Sequence, residues 1–156
     1  MIDAENVTQK HRHSSAAALT AAALILIVVG FQWALAFGAP WGEYTQGGAH
    51  QGQLPAAGRI VALVSSAVLL FMAVAVLARA GLGPMRSSRR WMVTSAAWFS
   101  AAYFGLAVLL NIATPSASER LLWLPISVAI WLLVGITIWS TRARPTSTPT
   151  IRKEAA

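Results

Sequence analysis

Apolar positions in this chain do not alternate with polar ones at the period of a half-buried strand or of an amphipathic helix. They run on without interruption in four stretches, at about residues 15–37, 60–78, 91–113 and 121–139. Each stretch is about 19–23 residues long, and none carries Asp, Glu, Lys or Arg in its interior. A helix rises about 1.5 Å per residue, so a run of this length crosses a hydrocarbon core about 30 Å thick. Helices in soluble cores seldom run so far without a charge. The pattern therefore predicts an all-α fold: a four-helix transmembrane bundle with short connections.

Composition agrees. Hydrophobic residues make up 56% of the chain and charged residues 11%, against about 25% charged in soluble domains. The expected organisation is a polar tail over residues 1–14, one membrane domain over residues 15–140, and a disordered tail over residues 141–156, which is rich in Thr, Pro, Arg and Ser. Four spans leave no room for a second bundle. The absence of cysteine rules out thiol catalysis, disulfides and cysteine-based metal binding.

The formal net charge is +7, which on a soluble protein would suggest nucleic acid. Here the basic residues flank the spans, so no nucleic-acid partner is expected and the lipid bilayer is. Ten of the twelve Lys and Arg fall in three segments: Lys10 and Arg12; Arg79, Arg86, Arg89 and Arg90; Arg142, Arg144, Arg152 and Lys153. Only Arg59 and Arg120 lie on the other side of the spans. The positive-inside rule then predicts cytoplasmic N- and C-termini, with the loops around residues 38–59 and 114–120 facing outward. Span 1 follows a basic flank and ends near Ala34-Leu35-Ala36, which resembles a cleavage site. Its apolar run exceeds the roughly 7–15 residues of a signal peptide, so an uncleaved helix is expected.

The first outward loop, residues 38–55, holds five glycines and two prolines in eighteen residues, which calls for a specific tight path. Trp41 and Tyr44 suit an interfacial belt, and Glu43 and His50 are its only carboxylate and imidazole side chains. Ala97, Ala101 and Gly105 form a small-residue face for close helix packing. Ser116 and Glu119 have the spacing of a capping box at the start of span 4.

Candidate chemistry is sparse. Proton-coupled exchangers keep a carboxylate within the membrane, and no span here has one. His11 and His13 are two apart, not the four that would put both on one helix face. No catalytic residue, metal or cofactor is expected, and the chain is not read as an enzyme. Polar side chains do gather near the outer helix ends. Gln32 lies about five residues, ~7 Å, below its end; Ser65, Ser66 and Ser127 lie at similar depth, and Asn111 is shallower. Glu43, His50, Arg59, Glu119 and Arg120 stand above them. Gln32, Glu43, His50, Arg59, Ser65, Asn111, Glu119 and Arg120 are thus the candidate lining of an outward-facing polar pocket. The alternative is that Gln32 and Asn111 serve as interhelical hydrogen-bonding glue.

The pattern Gln32, Gly38-Ala39-Pro40-Trp41-Gly42, Gly47-Gly48, His50, Leu54-Pro55 resembles that of small four-span membrane proteins, mainly actinobacterial, to which no activity is assigned. Asn111, Ser116, Ser118-Glu119-Arg120, Trp123 and Pro125 are similar to the same group. The likeness covers roughly residues 15–140. It implies a multi-pass protein of a bacterial plasma membrane and supplies no substrate, cofactor or catalytic residue. The first functional expectation is a structural or accessory protein acting through helix packing and its outer loop, with a membrane protein partner or a second copy of itself. The alternative is a binder or transporter of a small uncharged or amphipathic molecule at the outer pocket.

Overall fold

A computed structural model describes residues 2–142. Residues 143–156, most of the segment expected to be disordered, lie outside the described residues, with Arg144, Arg152 and Lys153. So do the side chains of residues 2–8, 10, 11, 86 and 87, Lys10 and Arg86 among them.

The described chain is helical: α1 spans Ile2–Ala36, α2 Ala56–Arg79, α3 Arg90–Ala113 and α4 Ala117–Ser140. Short 3-10 turns at Gly42–Tyr44, Gln46–Gly48 and Pro84–Ser87 occupy the loops. The segments long and apolar enough to cross a membrane are Arg12–Ala36, Ala56–Arg79, Arg90–Ala113 and Ala117–Ser140. These match the four uninterrupted apolar runs to within four residues at each end. A 24-residue helix is about 36 Å long, enough to cross a core of about 30 Å. This is the architecture of a multi-pass membrane protein. Helix α1 starts well before its apolar run, so residues 2–14 of the polar flank are helical.

The helices form a ring in which α1 and α3 each pack against α2 and α4 and stand diagonally opposite one another. The main core draws Ala18, Ala21, Ala22 and Ile25 from α1, Leu69, Met72, Ala73 and Val76 from α2, Ala97, Ala101 and Phe104 from α3, and Ile130, Val134 and Ile138 from α4. Each set recurs at three- or four-residue spacing, so each occupies one helix face. Alanines on α1 and α3 let backbones approach closely, which is how helices associate when the solvent is itself apolar. Outside this core the spans stay apolar all round. Leu26, Ile27, Val64, Leu109 and Trp139 are exposed, which suits hydrocarbon and not water.

The two ends of the bundle differ. One end carries the 38–55 loop and the α3–α4 turn, and is called the loop end below. The other, the basic end, carries Arg12, Arg79, Arg89, Arg90 and Arg142. There α2 stops in a Schellman motif. Gly81 takes φ 78°, its N–H donates to the Ala78 carbonyl at 3.0 Å, and the Leu82 N–H donates to Leu77 at 2.8 Å.

Candidate ligand cavity at the loop end

Toward the loop end α3 loses its hold on the bundle. Val93, Ala97, Ser100, Ala101 and Phe104 are buried, but no residue from Gly105 to Ala113 is. The loop-end half of α2 packs instead on α1, where Leu35, Leu54 and Ala62 form a second small core beside Phe31 and Ala36. The space left between them is a cavity of about 260 Å³. Its lining comes from α1, α3 and α4, with Leu69 alone from α2 and Thr45 from the loop. Leu110 lines it and is also 61% exposed, so the cavity is open beside the loop end of α3.

The wall is apolar and aromatic, with Phe31, Phe104, Trp123 and Ile130 among its members. Six polar residues interrupt it: Gln32, Thr45, Tyr103, Asn111, Glu119 and Ser127. Asn111 Nδ2 donates to Ser127 Oγ at 3.2 Å, and that hydroxyl donates to the Leu124 carbonyl at 3.0 Å. Asn111 is therefore both interhelical glue and cavity lining. The Gln32 carboxamide and the Tyr103 hydroxyl make no hydrogen bond to other described residues. Both residues are half-buried.

The roof is the loop, tied down by the start of α4. Ser116 caps that helix by accepting from the Glu119 N–H at 3.2 Å, as the capping-box spacing predicts. The reciprocal half of the box is not made. Glu119 Oε2 accepts instead from the Gly47 N–H at 2.8 Å and from Thr114 Oγ1 at 2.9 Å. Ser116 Oγ donates to the Glu43 carbonyl at 3.1 Å, and Trp123 Nε1 donates to the Tyr44 carbonyl at 2.6 Å. Phe31 stacks on Trp41 and meets Trp123 edge-on, with ring centroids 5.8 and 4.6 Å away. Two glycines are required by contact. A Cβ on Gly42 would stand 2.5 Å from the His50 carbonyl oxygen, and one on Gly48, at φ 70°, 2.8 Å from Ser116 Cβ.

The candidate residues thus separate into two groups. Gln32, Asn111 and Glu119 meet at the cavity, with Ser127. The others do not line it. Arg59 braces the loop, donating from Nε to the Leu54 carbonyl at 3.0 Å and from Nη2 to Gln53 Oε1 at 2.9 Å. Arg120 donates to the Thr114 carbonyl and closes the α3–α4 turn. Ser65 is half-buried on α2. His50 has a buried Nδ1 without a hydrogen-bond partner. Glu43 borders a shallower pocket with Gly47, Gly48, Gln51, Pro115, Ser116 and Ser118. A hydrogen bond to Glu43, reinforced by its charge, pushes the Tyr44 phenol above its ordinary value.

Sequence reasoning missed Tyr103, Thr45 and Trp123 as lining. The signal for Tyr103 was available: it precedes Ala107 and Asn111 at four-residue spacing and shares their helix face. Thr45 and Trp123 reach the cavity only through the loop's tertiary path. The small-residue face is spent within the bundle: Ala97 and Ala101 are buried in the main core, and Gly105 lies so close to Trp131 that a Cβ would meet its Nε1 at 3.1 Å. No protein-family model, no curated protein and no solved structure matches this chain.

Proposed function

We infer that this chain is a binding protein for a small, uncharged, amphipathic molecule, held in the loop-end cavity and reached sideways from the bilayer. The observation that carries the reading is the Gln32 carboxamide, which lines the cavity without a hydrogen-bond partner among the described residues. A ligand bearing a hydroxyl or amide would satisfy it, with Asn111 and the Glu119 carboxylate as further partners. The volume of about 260 Å³ is just below the roughly 300–1,000 Å³ of sites for drug-sized molecules. That size suits a small molecule or the polar head of a larger one. The carboxylate at the rim disfavours an anion.

The charge asymmetry of the described arginines supports cytoplasmic termini, with the cavity near the outer face of a bacterial plasma membrane. An accessory role has less support than the sequence suggested, because the small-residue face is used within the chain. That second reading now rests on the loop end, where Phe37 and Trp41 stay exposed and could meet a partner.

The test is native mass spectrometry of the full chain extracted in mild detergent from its own membrane. A bound non-lipid adduct, lost in Gln32→Leu/Asn111→Leu while the bundle stays folded by circular dichroism, supports the binding role. A partner-bound chain without an adduct favours the accessory role. An adduct that survives the double substitution sinks the cavity reading.

A further inference from the structure

The basic end concentrates positive charge that nothing described there neutralises. Arg79 ends α2, Arg90 begins α3 and Arg142 follows α4. Arg90 and Arg142 each lie near enough to the Arg79 guanidinium to repel it. Glu43 and Glu119, the two carboxylates whose side chains are described, both belong to the loop end. Arg79 Nη2 donates to the Thr141 carbonyl at 2.9 Å, which anchors it at the negative end of the α4 dipole. Its Nε is buried and has no hydrogen-bond partner among the described residues. Arg142 lies over the rings of Trp139 and Trp98, at 4.4 and 5.5 Å from their centroids.

An apolar groove of about 560 Å³ leads away from Arg142 along α3 and α4, floored by Trp98, Trp131, Gly135 and Trp139. Gly135 faces open space there, since a Cβ on it would meet nothing within 4 Å. From Trp131 to Arg142 the helical rise is about 16 Å. A cluster of cations at one end of a long apolar trough matches a headgroup and an acyl chain, not a lone ion.

We propose that the basic end holds one anionic phospholipid, its phosphate on Arg79, Arg90 and Arg142 and one acyl chain in the groove between α3 and α4. Guanidinium forks match phosphate oxygens, and basic pockets between membrane helices recognise acidic headgroups. A zwitterionic lipid would bring its own cation into the repulsive field of three arginines. The site stands at the other end of the bundle from the cavity and does not depend on it.

The experiment offers the full-length protein in mild detergent an equimolar mixture of phosphatidylglycerol and phosphatidylcholine and reads the retained lipid by native mass spectrometry. The wild type is expected to favour phosphatidylglycerol by at least about tenfold, with about fivefold lost per arginine replaced. Arg90→Gln/Arg142→Gln, which keeps the Arg79–Thr141 bond, should keep at most the roughly fivefold preference of the one remaining arginine. Arg120→Gln at the loop end should behave as wild type. Gly135→Phe, which plugs the groove, should lower phosphatidylglycerol retention with all three arginines in place. Inorganic phosphate at millimolar concentration should not displace the lipid; displacement would reduce the site to a simple anion site and overturn the proposal. Equal retention by the wild type, or undiminished preference in the arginine double variant, would overturn it as well.

Discussion

The two halves of this bundle are built from different residues and do different things. Near the basic end, Ala18, Ala21, Met72, Val76, Ala97 and Val134 close the centre, and all are at least nine-tenths buried. Near the loop end, Phe31, Phe104 and Trp123 stand around Gln32, Asn111 and Ser127, and a cavity remains between them. Small side chains let four backbones approach; bulky rings beside amides hold them apart. A bilayer supplies no hydrophobic force between helices, so dispersion contacts and hydrogen bonds decide where helices touch. The contrast teaches that the tight half provides the stability that allows the open half to stay open.

Breaking the tight half should have the largest effect. Met72 is fully buried among all four helices, and Met72→Ala is expected to cost about 2–5 kcal/mol. Leu110→Ala, at an exposed position in the loose half, should stay within about 0.5 kcal/mol. Unfolding in mixed detergent would read both, and equal costs would erase the distinction between the halves.

Next in size is the strap across the open half. Glu119→Gln removes the charge from the bonds to the Gly47 N–H and Thr114 hydroxyl, which are worth about 1.5–3 kcal/mol each when charged. The expected result is faster amide exchange across residues 42–48, with α1 to α4 otherwise protected. Gly48→Ala forces a side chain to φ 70° against Ser116 and should cost about 1–3 kcal/mol, with the same local loosening of the loop. Exchange that rises equally in the tight half would mean that the roof and the core are one cooperative unit.

Smaller still is the bond inside the cavity. Ser127→Ala removes the acceptor of Asn111 and should cost about 0.6 kcal/mol, the average for such interhelical bonds. A much larger loss would make the pair a structural keystone and weaken its reading as cavity lining.

The smallest expected signal is at Tyr44. Because Glu43 raises its phenol, the folded state favours the protonated ring. Its contribution is present below the ordinary tyrosine value near 10 and is lost as pH rises through the higher folded value. In a Tyr103→Phe background, phenolate absorbance should therefore show the remaining tyrosine titrating late and becoming normal in Glu43→Gln.

Much of this arrangement is visible in the one-dimensional pattern. Uninterrupted apolar runs marked the four spans, Ala97 and Ala101 marked a packing face, and Ser116 marked the cap of α4. Gln32, Asn111 and Glu119 stood out by depth and meet in space. Depth along a helix says nothing about azimuth on a helix that is apolar all round. Thus Ser65, at the same depth as Ser127, lies elsewhere, and Tyr103 went unnoticed. The capping-box spacing identified the residues but not the carboxylate's partner, because Gly47 is remote in sequence and becomes available only when the loop folds back.

Chain length and hydropathy by themselves determined that four helices are long and apolar enough to cross a membrane and roughly where the apolar runs lie, though not that α1 begins at Ile2. The reason is that each helix satisfies its own backbone hydrogen bonds and the bilayer sets its length. The order of helices around the ring, the divergence of α3 and the path of the 38–55 loop were decided only in tertiary structure. Those features depend on which faces touch and on single contacts between distant residues, such as Glu119 with Gly47 and Arg79 with Thr141. Local propensity and hydropathy do not encode such contacts, and it is these contacts that shape the cavity at one end and gather the arginines at the other.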